Sequence, residues 1–291
     1  ACRMQLRINE WARERVAKGG APITLRVVKG ANMEMERFEA SLKGWPQAPY
    51  KTKRETDANF KRMLQEGMKP ENLAAVRLGI GSHNLFDLAY GLQLGIENHA
   101  LDKIQFEMLE GMANHQRRAL FELTKNLLLY APACHRRDFI HAIGYLVRRL
   151  DENTGPDNFL AHAFKVQVGS EEWQRLEQQF LDSFDAIPEV SDTPRRTQDR
   201  NQPVELTEPT SGDWREFRGE PDTDFSLPQN VAWAEELVAR WEKKCGENAM
   251  EIPLFVAGRE VTEERLVSEC LDPSRPSVVV GRYRHASDDD I

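Results

Sequence analysis

Four times within its first 165 residues the chain passes from a short apolar run into a longer amphipathic stretch, and this alternation narrows its fold more than any other feature. The apolar runs lie at 23–28, 74–80, 103–108 and 126–130. They are aliphatic and β-branched, and Gly30, Gly81, Asn84 and Pro132 punctuate them. Helical patterns at about 57–66, 85–97, 111–118 and 136–152 fill the intervals, after a leading helix at 4–17. Continuous apolar runs of this length suit buried parallel strands. A repeated βα unit places helices outside such a sheet. A doubly wound sheet and a (βα)8 barrel both satisfy the pattern, and four units are half of that barrel.

Half a barrel leaves two strand edges open, which is a liability. The barrel reading therefore places further strands upstream. It suits a chain that opens at Ala1 inside a helix and stops at Ile291 after an acidic run. On this reading the chain is an internal fragment, which folds poorly and aggregates through its open edges. A sharp, cooperative melt as a monomer would contradict that expectation.

Beyond the alternating region the composition shifts. Residues 181–230 hold six of the 15 prolines, and 12 acidic residues against five arginines. Few apolar residues recur there with any period, so this stretch reads as an extended linker. An amphipathic helix follows at 230–244, then short strands at 252–256 and 277–281. Residues 229–291 are too few, and too bare of chemistry, for a catalytic domain; they read as the opening of one.

Composition removes several function classes. The net charge of -8 argues against a nucleic-acid footprint. No run approaches the roughly 20 apolar residues that a membrane-spanning helix needs. Cys2, Cys134, Cys245 and Cys270 lie far apart with no CxxC, which suits a reducing compartment and disfavours a disulfide scaffold. His135 and His141 lack metal spacing, and no GxxxxGK[ST], HExxH or GxSxG occurs.

Four segments could carry chemistry. Tyr145, Arg148, Arg149 and Glu152 share one helical face, opposite Phe139, Ile143, Leu146, Val147 and Leu150. Two guanidiniums beside a tyrosine can clamp a carboxylate, with Glu152 steadying one of them. The same spacing also suits a solvated face with ordinary Arg–Glu pairs. Arg26 sits inside an apolar strand, where an arginine is costly unless paired. Gly30 just after it would let a flat ligand approach the backbone; an edge strand with an outward arginine is the alternative. Gly79-Ile80-Gly81-Ser82-His83-Asn84 begins like a dinucleotide fingerprint but has Asn84 where the third glycine belongs. Ser82, His83 and Asn84 suit hydrogen bonds to a polar cofactor, and Ser82 or Asn84 equally suits a helix N-cap. Tyr130 at the end of the fourth strand offers an aromatic wall or a core tyrosine.

In this order the segments resemble the proline dehydrogenase family. The stretches are Arg26-Val-Val-Lys-Gly-Ala31, Thr56-Asp57, Ser82-His-Asn84, Phe106-Glu-Met-Leu109, Tyr130-Ala-Pro132, and Tyr145-Leu-Val-Arg-Arg149 with Glu152-Asn153. Glu220-Pro-Asp-Thr-Asp224, Ile252-Pro-Leu and Asp272-Pro-Ser-Arg-Pro276 look like the linker and first strands of an aldehyde dehydrogenase. Together they resemble the bifunctional proline utilization A enzymes. The resemblance implies an α/β fold: residues 1–165 as the C-terminal half of a (βα)8 proline dehydrogenase barrel, 166–228 as a helical then Pro-rich acidic linker, and 229–291 as the start of an aldehyde dehydrogenase domain.

It also implies roles. Arg148 and Arg149 would grip the carboxylate of L-proline with Glu152 supporting them, and Leu109, Tyr130 and Tyr145 would wall the substrate pocket. Arg26 would lie beside the flavin N5 edge, Val28, Lys29, Gly30 and Ala31 would line the FAD, and Ser82, His83 and Asn84 would hold it. Asn32 and Met33 stand where some members carry Tyr-Trp. The parent would oxidise proline to 1-pyrroline-5-carboxylate with FAD and glutamate semialdehyde to glutamate with NAD. Its partners would be a quinone or other electron acceptor and further copies of itself, and its place the cytoplasm, touching the membrane's inner face. Two other readings stay open: a non-catalytic acidic interaction module, and another phosphate-ligand barrel, which the missing Gly-rich loop disfavours.

Overall fold

The structure, a computed structural model, describes every residue except 31–32, 164–165, 204–214, 216–218 and 291, together with the side chains of Asp151 and Glu152. It divides into two compact units, Ala1–Arg196 and Thr197–Ile291.

Among its described residues the first unit is built on four strands: β1 (Ile23–Val27), β2 (Val76–Gly81), β3 (Ile104–Leu109) and β4 (Leu127–Tyr130). They pair in sequential order and all in parallel. Each return to the sheet runs through helix. The helices are α1 (Cys2–Ala17), α2 (Met33–Lys43), α3 (Lys53–Gly67), α4 (Pro70–Leu73), α5 (Leu85–Glu97), α6 (Asn114–Thr124), α7 (Phe139–Thr154), α8 (Phe159–His162) and α9 (Glu171–Asp185). The expected alternation is therefore present, with α2, α4 and α8 added to the predicted helices, and α9 lies in the part of 166–228 expected to be helical. The helix predicted at 57–66 starts earlier. Thr52 accepts the Glu55 N–H while the Glu55 carboxylate takes the Thr52 N–H, a reciprocal cap that lies upstream of the apolar pattern.

The two faces of the sheet differ. Val27, Leu78, Ile80, Ile104, Phe106 and Met108 point to one side and are buried against Phe60 and Leu64 of α3, Leu88 of α5 and Leu120 of α6. Arg26, Gly79, Gly81 and Glu107 alternate onto the other side. Both outer strands, β1 and β4, have one unpaired edge, and Leu128 and Leu129 of β4 are about two-fifths exposed (41% and 40%).

The first unit extends past residue 165, the boundary expected from sequence, because α9 packs on α3. The Arg54 guanidinium donates to the Asp182 carbonyl, Arg62 to that of Val190, and the Tyr50 hydroxyl to that of Ser191. Residues up to 196 are thus held by the unit rather than strung out as linker.

Among its described residues the second unit contains α10 (Pro228–Glu242) and five strands: β5 (Met250–Ile252), β6 (Leu254–Val256), β7 (Arg259–Val261), β8 (Val267–Asp272) and β9 (Arg275–Arg284). Strands β5, β9 and β8 form one sheet and β6 with β7 a hairpin. The sequence suggests one strand at 252–256; Pro253, which has no N–H to donate, separates β5 from β6. Strands β7 and β8 carry no unbroken apolar run, so the sequence does not announce them. Arg200 ties the acidic stretch to itself, reaching Glu220 at 2.6 Å and the Pro221 carbonyl at 2.6 Å. Asn230 at the start of α10 donates to the Asp224 carbonyl. The described parts of the expected linker are therefore ordered by side-chain bonds that composition does not reveal.

Lys61 of α3 is a charged group buried in the α3–α9 contact. It is 0% exposed, its ammonium donates to Ser183 Oγ at 2.5 Å, and it lies 4.1 Å from the Phe180 ring centroid. Burial pushes its pKa down to about 8, against the pull of Asp87. The unfolded chain then binds more protons than the folded one between the two values, so stability rises with pH from about 8 to 10.5. Lys61→Met should remove that rise, which urea midpoints at neutral and alkaline pH would measure; an unaltered rise would assign it to another group.

Candidate active site

Parallel pairing brings all four strand ends to one edge of the sheet, and the loops that follow them carry the predicted residues. Val28, Lys29 and Gly30 follow β1, Ser82, His83 and Asn84 follow β2, Leu109 closes β3 and Tyr130 closes β4. Segments more than 100 residues apart in sequence meet there.

Arg26 is both an edge-strand residue and a paired one. It crosses over β2 to Glu107 on β3, with Nε 2.7 Å from the carboxylate. Glu107 is 5% exposed, so a charge partner is needed there. The crossing depends on Gly79. A Cβ at that position would lie 2.2 Å from Glu107 Oε1. The Gly-x-Gly that resembles a nucleotide fingerprint thus clears space for an ion pair. Arg26 also lies over the Tyr130 ring, 4.9 Å from its centroid.

The Lys29 side chain turns away from the edge and into the protein. Its ammonium sits 2.6 Å from Asp57 of α3 and 2.5 Å from Asp87 of α5. Burial acts to lower its pKa, but Asp87 and Asp57 outweigh that and raise it above the ordinary 10.5. Burial acts to raise the Asp57 carboxyl, yet Lys29 and Lys53 hold it below its ordinary 3.8. Both groups are therefore charged across the neutral range. Any ligand contact at Lys29 falls to its backbone. Gly30 follows with φ +98°, a left-handed conformation that favours glycine, and open space where a Cβ would stand.

After β2, Ser82 Oγ donates to Asp87 and accepts the Asn84 N–H. Asn84 caps α5 by accepting the Phe86 N–H. Of the two capping alternatives Asn84 is the N-cap, and Ser82 holds the turn before it. His83 Nε2 accepts the Leu109 N–H at 3.0 Å. Burial pushes its pKa down, and the proton of the neutral ring stays on Nδ1.

Helix α7 presents its faces the other way from a surface helix. Tyr145, Arg148 and Arg149 are half-buried, while Phe139, Ile143, Leu146, Val147 and Leu150 are exposed. The arginine pair therefore lies on the less exposed face of the helix. The Arg149 guanidinium lies 4.4 Å from the Tyr145 ring centroid, and the Tyr145 and Tyr130 rings are 6.5 Å apart. A row therefore runs from Arg26 through Tyr130 and Tyr145 to Arg149. Arg149 Nη1 is buried, and no described residue accepts its hydrogen bond. Leu109 is buried below and Val28 is half-exposed. Ala31, Asn32 and the side chain of Glu152 lie outside the described residues.

The charge partners Glu107, Asp57 and Asp87 receive no role from sequence. An acid inside an apolar strand, as Glu107 is, is the signal that could have found the first. Asp87, in the first turn of a helix, looks like an ordinary helix-dipole residue. Among the described residues no group of His, Cys, Asp and Glu could hold a metal ion, and no helix is long and apolar enough to cross a membrane.

Comparison with known proteins places the site in context. The family model described as proline dehydrogenase matches residues 3–162. The structure of proline utilization A from Corynebacterium freiburgense is similar at 35% identity and a TM-score of 0.61, over 80% of this chain and 21% of that one. Proline utilization A from Bdellovibrio bacteriovorus, inactivated by N-propargylglycine, shares the fold at 22% identity and a TM-score of 0.70, over 99% of this chain and 26% of that one. The chain thus spans about a fifth to a quarter of the length of these structures. A search of curated proteins returns no match.

Because Gly79 makes room for Glu107, Gly79→Ala should drive the carboxylate off Arg26 and destabilise the first unit by about 1–3 kcal/mol. Urea denaturation would read the loss; an unchanged midpoint would mean that the carboxylate moves aside at no cost.

Proposed function

The chain belongs to the proline dehydrogenase family, and we propose that its first unit forms part of a site that oxidises L-proline to 1-pyrroline-5-carboxylate. A flavin goes with that family, and we take it to be FAD. The row from Arg26 to Arg149, ending in a buried donor with no partner among the described residues, is the observation that carries this reading. A buried guanidinium N–H left unpaired is costly, and an incoming carboxylate relieves that cost.

The residues fit the flavin. Gly30 leaves its Cβ position open, and Val28 offers apolar surface beside Arg26. When bound, the flavin supplies the two-electron acceptor that no side chain provides. The chain's own groups do the rest. Arg148 and Arg149 take the proline carboxylate and so fix which ring carbon faces the acceptor. Tyr130 and Tyr145 pack on the ring, with Leu109 beneath. Glu107 fixes the orientation of Arg26, whose positive charge would stabilise negative charge developing on a bound flavin. The backbone of Val28, Lys29, Gly30 and Ala31, with Ser82, His83 and Asn84, would hold the cofactor, and Glu152 would support the two arginines.

We further take the open sheet as the C-terminal half of a (βα)8 barrel, because β1 and β4 both present unpaired edges. Residues 229–291 would begin an aldehyde dehydrogenase domain that uses NAD. The fold likeness to proline utilization A, which extends over 99% of this chain, supports that reading. A quinone would take the electrons from the flavin.

Replacing Arg149 in the flavin-loaded parent tests the assignment. Arg149→Met should lower kcat/KM for proline by about a hundredfold or more while flavin content stays constant. A proline rate equal to that of the unaltered enzyme would remove the reading.

A further inference from the structure

We infer that Asp87 is a positioning residue that ties the loop after β1 to the loop after β2. The inference rests on the proposed flavin site only for its consequence, since the tie itself is a feature of the fold. One carboxylate oxygen, Oδ2, receives both the Lys29 ammonium at 2.5 Å and the Ser82 hydroxyl at 3.0 Å. Lys29 precedes Gly30, the residue with φ +98°. Ser82 precedes His83, which receives the Leu109 N–H from β3. One buried group therefore fixes the exits of two strands directly and reaches a third through His83.

The geometry favours Asp87 over Asp57 for this role. Asp57 has a second cation, Lys53, at 2.5 Å, so it stays paired without Lys29. Asp87 is 1% exposed, belongs to α5, and holds one residue from each loop. Its Oδ1 is buried with no hydrogen-bond partner among the described residues. A carboxylate left half-satisfied in the interior is a poor choice for stability alone. It suits a group placed to hold two segments in register. Without it Lys29 keeps only Asp57, and Ser82 loses the acceptor for its hydroxyl.

The tie can be read without the cofactor, because trypsin cuts after lysine and Lys29 is held by the pair it would lose. Local opening governs such cleavage. In the full chain, Asp87→Asn should speed cleavage of the Lys29–Gly30 bond by at least about tenfold, with the other tryptic sites cut at their usual rates. In the same variant, flavin affinity, measured by titration of FAD fluorescence, should fall by a similar factor. Unchanged cleavage at Lys29 overturns the inference whatever the flavin does. Faster cleavage at Lys29 with FAD affinity unchanged upholds the tie and removes its consequence for the proposed flavin site instead. If Asp87→Asn unfolds, seen as cleavage at every site, Asp87→Glu replaces it, since it keeps the charge and moves it by one methylene. Selective acceleration at Lys29 of several-fold then supports the tie, and a rate equal to the unaltered chain's overturns it.

Discussion

In a parallel sheet each strand must be entered from the same end as its neighbour, so the chain crosses back through a helix after every strand. That requirement organises the first unit. It places helices on the apolar face and collects four loops at one edge. Polar segments that are far apart in sequence then become neighbours without any interaction of their own having to bring them together. The proposed flavin and proline site is a consequence of strand direction before it is a consequence of side chains.

Side chains then decide what that edge can do. Two charge arrangements sit beneath it, each built on buried carboxylates, and each fixes where a cationic side chain points. Arg26 is aimed by Glu107 and laid over Tyr130; Lys29 is drawn inward by Asp57 and Asp87. Burying such groups brings little net stability, because desolvation opposes the Coulomb attraction. What they give is orientation. Glycine makes the first arrangement sterically open, since any larger residue at position 79 would meet the Glu107 carboxylate.

Much of the architecture is legible in the sequence, and for a physical reason. Parallel strands buried on their helix face read as continuous apolar runs, so β1 to β4 and α5 can be placed nearly to the residue. The loops after them are legible because turn residues and polar groups interrupt those runs. The site is legible in part. Arg26, Ser82, Asn84, Tyr130 and the α7 arginines stand out as polar groups against apolar surroundings. Their partners do not. Glu107, Asp57 and Asp87 become meaningful only once β2 is seen to lie between β1 and β3. The direction of the Lys29 side chain is beyond reach for the same reason. Helix α9 falls in the part of 166–228 expected to be helical, but its attachment to α3 is hidden because it rests on long-range bonds to carbonyls; the acidic stretch reads as linker because its bonds leave no periodic trace. The inverted burial of α7 is also hidden: the helical spacing of its apolar residues marks two faces but not which one turns inward.

Anaerobic addition of proline to the FAD-loaded protein, followed in the visible spectrum, tests the central claim most directly. The account predicts that the yellow flavin band bleaches on addition of proline. A band that persists while the flavin remains bound would contradict it.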